Sequence, residues 1–197
     1  MAGRPRPYHH GDLRRALLAA ALAAVAERGP ADVSLRDVAR RVGVSHAAPT
    51  HHFGDKPGLL TAVAEEGYRL LAAELGAAWE RTGSFLEVGV AYVRFALAHR
   101  SHFEVMYRPE LYRADDPGLV AARRAAGQML YGPVASVAGG DPGFDRRLAG
   151  VAAWSLVHGL ATLWLGGNLP PELGDDPERV TRAVAAHLFR VSDGGGD

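Results

Sequence analysis

The chain carries nine histidines and no cysteine, and this bounds its chemistry. Without Cys there is no disulfide, no thiolate metal site and no cysteine nucleophile. His99 and His102 stand about one helical turn apart, but no third and fourth ligand is spaced around them. The adjacent pairs His9-His10 and His51-His52 aim their rings in different directions. No metal site is assigned. Ser101-His102 and Ser155 with His158 suggest a nucleophile and a base, yet Ser155 and His158 fall inside one predicted helix with no G-x-S-x-G elbow. The Gly-rich segments form neither G-x-G-x-x-G nor a P-loop. No catalytic residue and no cofactor site follows, and the chain is not expected to be an enzyme.

A different pattern runs from Ser34 to Lys56. Arg36, Arg40, Arg41 and Lys56 flank a short segment whose polar or small residues, His46, Ala47, Thr50 and His51, include no acid that would repel phosphate. Such a set suits a nucleic-acid backbone and base edges. The elements that position it can be read as well. Ser34 is a good N-cap, and Asp37 stands where a capping box puts its acid. Leu35, Val38, Ala39 and Val42 recur at helical spacing, and Gly43 supplies a left-handed end. Ser45 reads as a second N-cap, so a further helix over about 46–53 must leave at a steep angle. Helix, Gly-containing turn, helix is the helix-turn-helix pattern, in which the second helix enters the major groove. The DNA-facing set is Ser34, Arg36, Ser45, His46, Ala47, Thr50, His51, His52 and Lys56. His51 and His52 either both face DNA or divide between DNA and packing.

With Val44-Ser45, Phe53, Lys56 and Leu59-Leu60 in place, the segment resembles the tetracycline-repressor (TetR) family of regulators over about residues 11–71. Two positions depart from the family pattern. Pro49 stands where a bulky apolar residue is frequent, and Thr50 replaces the usual Tyr, keeping a hydroxyl for phosphate but losing the aromatic plane. Trp154-Ser-Leu-Val-His158-Gly159 is similar to the Trp-His-Gly signature of one class of TetR-type C-terminal domains. The resemblance implies an all-helical, dimeric transcriptional regulator. The implied activity is that of a repressor released from a palindromic operator by a small, largely apolar ligand.

Charge agrees with a DNA-contacting head. Net charge is zero, but residues 1–56 hold nine Arg/Lys against five acids, and the remainder thirteen against seventeen. Residues 1–10 read as a basic arm with Arg4 and Arg6, residues 11–56 as the helix-turn-helix domain, and 57–193 as a body that binds effector and dimerises. The arm is either an untethered tail or a backbone-contacting extension. The longest apolar run, over 17–26, is far short of a membrane span, which suggests a soluble, cytoplasmic protein.

The rest of the chain is expected to be all-α, with about nine helices. Asp12 is taken as the N-cap of the first helix, and Asp55 caps a long one running to about Trp79. Later helices are predicted over about 84–100, 102–107, 117–138, with Pro133 ending or kinking it, 144–165 and 177–191. Gly139 to Gly143 reads as a loop. Ala152, Ser155, Gly159 and Thr162 form a small-residue stripe. With Val180, Val184 and Leu188 it is the candidate dimer interface. Phe95, His99, Phe103, Met106, Tyr107, Tyr112, Gln128, Trp154 and His158 are the candidate ligand set, because polar groups among converging aromatics need partners. The same side chains would also serve as plain core. The competing reading is a helical enzyme or partner-binding module with a vestigial head.

Overall fold

The computed structural model describes the backbone of residues 10–137 and 145–191, with side chains over 12–134 and 145–187. The arm with Arg4 and Arg6, the loop over 139–143 and the Leu188 side chain lie outside the described residues. Among the described residues there is no strand. Nine α-helices are described: α1 (His10–Arg28), α2 (Leu35–Val42), α3 (Ala47–Phe53), α4 (Lys56–Thr82), α5 (Phe85–Ala98), α6 (Arg100–Met106), α7 (Pro117–Tyr131), α8 (Arg146–Leu165) and α9 (Pro177–Val191).

Several ends differ from the sequence expectation. α1 starts at His10, so Asp12 is a first-turn acid, bonded to Arg15 at 2.9 Å, rather than the cap. The helix predicted over 84–100 closes at Ala98 with His99 as its C-cap, and α6 begins at once. The helix from Pro117 ends at Tyr131 and tightens into a 3-10 helix over Gly132–Val137. Pro133, which lacks an N–H, accounts for that change. α8 has an unforeseen N-cap, Asp145, which accepts from the Arg147 and Leu148 amides at 2.8 and 3.2 Å.

The chain forms two compact units, and they interleave in sequence. The first takes residues up to Gly67 together with 101–120, and the second takes 68–100 and 121 onward. The sequence-based boundary at 56/57 follows chain order. By compactness, the first eleven residues beyond it and a distant segment go with the helix-turn-helix. In that first unit α1 packs on α2 and α3. Leu17, Ala21, Ala24 and Val25 of α1, Val38 and Ala39 of α2, and Leu59, Leu60 and Val63 of α4 are buried, as are Phe103, Met106, Tyr112 and Leu119.

The second unit is built on α5. Val88, Val90, Ala91, Tyr92, Val93, Phe95 and Ala96 are all buried, so the helix is covered on most of its circumference. α8 and α9 pack against it. Arg182 of α9 grips Glu87 of α5 with two bonds of 2.8 and 2.9 Å and holds that carboxyl below its usual pKa.

Candidate nucleic-acid interface

The helix-turn-helix is positioned by short-range chemistry. Ser34 Oγ accepts the Asp37 amide at 3.2 Å and caps α2. The reciprocal half of the capping box does not form. The Asp37 carboxylate instead collects three guanidinium groups, from Arg28, Arg40 and, at 2.8 Å, Arg41. Arg41 also binds Glu27 of α1, at 2.8 Å through Nη1. These contacts, the Arg41 bond first, hold the Asp37 carboxyl far below the ordinary carboxylate range. Arg41 is thus committed to joining α2 to α1, which corrects its assignment to phosphate. Arg40 keeps an exposed side chain although it is paired.

Gly43 ends α2 in the left-handed region at φ 73°, ψ 31°, and its N–H and that of Val44 return to Ala39 and Arg40 carbonyls. The next helix starts at Ala47. His46 occupies the cap position in an α conformation, without a side-chain bond, so the N-cap role given to Ser45 is not realised. Ser45 contributes its carbonyl, which accepts the Ala48 amide at 3.0 Å. Pro49 sits in the first turn, where its missing N–H leaves no intrahelical bond unmade. It is buried, so it fills the place of the bulkier apolar residue.

α3 then presents two different sides. Ser45, His46, Ala47, Thr50 and His51 are exposed, while Pro49 and Phe53 are buried. The two histidines divide: His51 faces out, and His52 is half-buried with its ring 6.1 Å from the Phe53 ring. Arg36 is exposed and, among the described residues, carries no ion pair. Lys56 donates to the Ala31 carbonyl, so one of its three N–H bonds is already engaged by the loop after α1. Arg14 was not foreseen. Its guanidinium carbon lies 5.5 Å from the Phe53 ring centroid, a cation–π placement that only the folded chain shows.

Beyond α3, Gly54 turns the chain at φ 77°, ψ −69°. Asp55 caps α4 through Oδ1, which accepts the Gly58 amide at 2.8 Å. The interface therefore consists of one exposed helix face framed by two capped helix starts, with free or partly free cations on either side. Such an arrangement is what a major-groove reader with phosphate-positioning groups requires.

The members of the predicted ligand set are distributed over both units. Phe103, Met106, Tyr107 and Tyr112 belong to the first unit, and Phe95, His99, Gln128, Trp154 and His158 to the second. Gln128 is exposed. His99 meets Glu74 at 3.0 Å, His102 meets Glu66 at 3.1 Å, and the Tyr112 hydroxyl donates to the Met106 carbonyl at 2.7 Å. The buried Tyr92 hydroxyl accepts from Trp154 Nε1 at 3.2 Å and shares a hydrogen bond of 2.9 Å with His158 Nδ1. Burial lowers the pKa of His158 and so favours the neutral ring. No buried side-chain polar atom among the described residues lacks a partner. The polar groups of the body therefore do not by themselves demand a ligand.

Of the dimer set, Ala152, Ser155 and Thr162 are exposed and Gly159 is half-buried. Leu148, Val151 and Leu163 extend the exposed stripe, with 68, 50 and 44% of their surface accessible. Val180 is only 2% exposed and Val184 half-buried, so Val180 packs inside its own subunit rather than on a partner. α8 is also long and apolar enough to cross a membrane by length and composition, with a mean hydropathy of 1.5, which the shorter run over 17–26 did not suggest.

An all-helical chain with a capped helix-turn-helix and a separate helical unit is a DNA-binding protein of the regulator type. Comparison with known proteins makes this specific. The model described as bacterial regulatory proteins, tetR family, matches residues 17–63, and that described as tetracyclin repressor-like, C-terminal domain, matches 85–188. The HTH-type transcriptional regulator BetI of Escherichia coli (strain K12 / DH10B) is 30% identical over 184 residues, covering 86% of this chain and 87% of that protein. A structure of a protein with unknown function from Rhodococcus sp. RHA1 matches with a TM-score of 0.78 and 38% identity, over 94% of this chain and 98% of that one. The TetR family transcriptional regulator PfmR from Thermus thermophilus shares the fold at a TM-score of 0.69 and 23% identity, over 88% and 97% of the two chains. The chain belongs to the TetR family, and it is a sequence-specific DNA-binding transcriptional regulator.

Proposed function

We propose that this regulator is a cytoplasmic homodimeric repressor, that it acts by binding and not by catalysis, and that it leaves a palindromic operator when a small apolar molecule enters its body. The observation that carries the reading is the exposed face of α3, with Ser45, His46, Ala47, Thr50 and His51 directed outward. These side chains enter the major groove, while Ser34, Arg36 and Lys56 hold backbone phosphates. His52 supports the helix through Phe53. The Ala47 methyl is suited to a thymine methyl, and the imidazoles of His46 and His51 to acceptor edges.

The exposed α8 stripe supports dimerisation. Its apolar residues at helical spacing form a face that a second copy would cover, and Gly159 has open space where a Cβ would stand. A dimer accounts for the apolar character of α8 without a membrane, and two half-sites then follow from two-fold symmetry. For the effector, the second unit offers a cleft among α5, α7, α8 and α9, lined by Leu86, Gly89, Leu130, Leu156, Val157 and Ala185 among others. It is a shallow cleft that opens to solvent, not an enclosed cavity. Every lining residue is apolar, so the guest is a hydrocarbon-like or aryl group.

Selection of DNA fragments from a random pool by the full-length protein tests the core of this reading. A two-fold symmetric consensus is expected, and Ala47→Glu should abolish it while leaving the dimer intact. An asymmetric consensus, or an unaffected Ala47→Glu variant, would assign the readout to other residues.

A further inference from the structure

The segment joining α6 to α7 lies more than fifty residues beyond the recognition helix, yet it belongs to the same compact unit. It is tied down at several points. Tyr112 is buried and donates to the Met106 carbonyl at 2.7 Å, and the Asp116 amide returns to the Arg113 carbonyl at 3.2 Å. The Arg113 amide donates to Thr61 Oγ1 at 3.0 Å, and that hydroxyl donates to the Pro57 carbonyl at 2.7 Å. Main-chain groups on both sides of Arg113 are thus fixed, and its side chain leaves a held backbone.

The Arg113 guanidinium bonds Asp55 Oδ2 at 2.8 Å. The other oxygen of that carboxylate caps α4 through the Gly58 amide, at 2.8 Å. Asp55 also closes the turn that ends α3, its amide returning to the Phe53 carbonyl at 3.0 Å. One carboxylate therefore joins the end of the recognition helix, the start of α4 and Arg113. The packing at Gly58 shows how close the three come. A Cβ there would stand 1.9 Å from the Phe53 carbonyl oxygen and 2.7 Å from Arg113 Nη1. No side chain fits between them.

We propose that Arg113 is a positioning residue for DNA binding. It touches no DNA; it braces the Asp55 turn and so fixes the angle at which α3 is offered to the groove. A misplacement of the reading helix loses base contacts while phosphate contacts re-form, so the brace acts on specificity more than on general affinity. The proposal rests on α3 being the reading helix.

The test uses the full chain and a DNA fragment enriched by the wild type from a random pool. Arg113→Ala keeps the backbone bond to Thr61 and is expected to fold. Its affinity for the enriched fragment should fall roughly fivefold, the low end of coupling between separate sites, with an unchanged salt slope. In a double-mutant cycle with Asp55→Asn the losses should be strongly non-additive. Amide exchange at Gly58 should quicken in both single variants. A slope reduced by about one unit would make Arg113 a phosphate contact and overturn the proposal. Unchanged affinity, additive losses or unchanged exchange at Gly58 would overturn it as well. Should Arg113→Ala not fold, Arg113→Gln removes only the charge and is read in the same way. Ala47→Glu, run beside it, separates the two readings: if it retains wild-type affinity, the failure lies with α3 as reader and the brace falls with it.

Discussion

Gly54→Ala isolates a single physical effect at the recognition helix. Gly54 holds φ 77°, ψ −69° between the Phe53 carbonyl and the Asp55 amide, the positive-φ form of the γ-turn. An added Cβ would find no atom within 4 Å, so the substitution brings no clash with its surroundings. What remains is backbone strain, about 1–3 kcal/mol for a non-glycine residue held in a sparsely populated region. With an m-value of about 2 kcal/mol/M in urea, a 2 kcal/mol loss lowers the midpoint by about 1 M. Gly43 supplies the control. It too has open space around its Cβ position, but its φ 73°, ψ 31° is the ordinary left-handed region that Asn tolerates. Gly43→Asn should therefore keep most of the stability, whereas Gly54→Asn should fare little better than Gly54→Ala. Urea unfolding at one protein concentration, with m compared across variants, reads this directly. Equal rescue by Asn at both positions, or a cost below about 0.5 kcal/mol for Gly54→Ala, would refute the strain argument.

Four further outcomes are expected. Tyr92→Phe removes the hydroxyl between Trp154 and His158 and should cost about 1–3 kcal/mol in urea unfolding, because two partly buried polar groups each lose a partner. In the wild type the neutral His158 makes stability fall as pH drops through about 6.5, where the unfolded chain takes up the proton first, and His158→Phe should flatten that part of a melting-temperature profile. Asp37→Asn should destabilise the protein at neutral pH by releasing three arginines; because the native carboxyl titrates below its unfolded value, the gap from wild type should narrow only as pH falls below about 4, as followed by circular dichroism. Val151→Glu places a charge on the exposed α8 stripe and should shift sedimentation velocity from dimer to monomer without loss of helix content; an unchanged dimer would move the interface elsewhere.

The head was legible because its signals are local. Ser34, Gly43 and Asp55 each specify a cap or a turn within four residues, and such signals depend little on the rest of the chain. The apolar period gave the helices for the same reason. Ser45 misled because it is a good capping residue that lies one position too early. The turn places His46 in an α conformation, and the backbone, not the hydroxyl, starts α3. Asp37 misled in a different way. Its sequence spacing fits a capping box, but Arg28 is nine residues away and is brought alongside only by the packing of α1 on α2. A carboxylate among guanidinium groups prefers them to one amide.

The body was less legible, since its decisive contacts join residues far apart in sequence. Tyr92 and His158 are separated by 66 positions, and neither spacing nor type indicates that one satisfies the other. Among the aromatic and polar residues, His99, His158, Trp154 and the Tyr112 hydroxyl each find a partner that sequence spacing does not indicate. The interleaved units have the same origin. A chain that returns to its first unit after α5 leaves no composition shift or linker to mark the crossing, because residues 101–120 need the same apolar helix chemistry wherever they pack. Polar ties mark the crossing once the chain is folded, among them Thr61 and Asp55 on one side with the Arg113 amide and guanidinium on the other. Those bonds make a late segment of the chain part of the frame around the recognition helix.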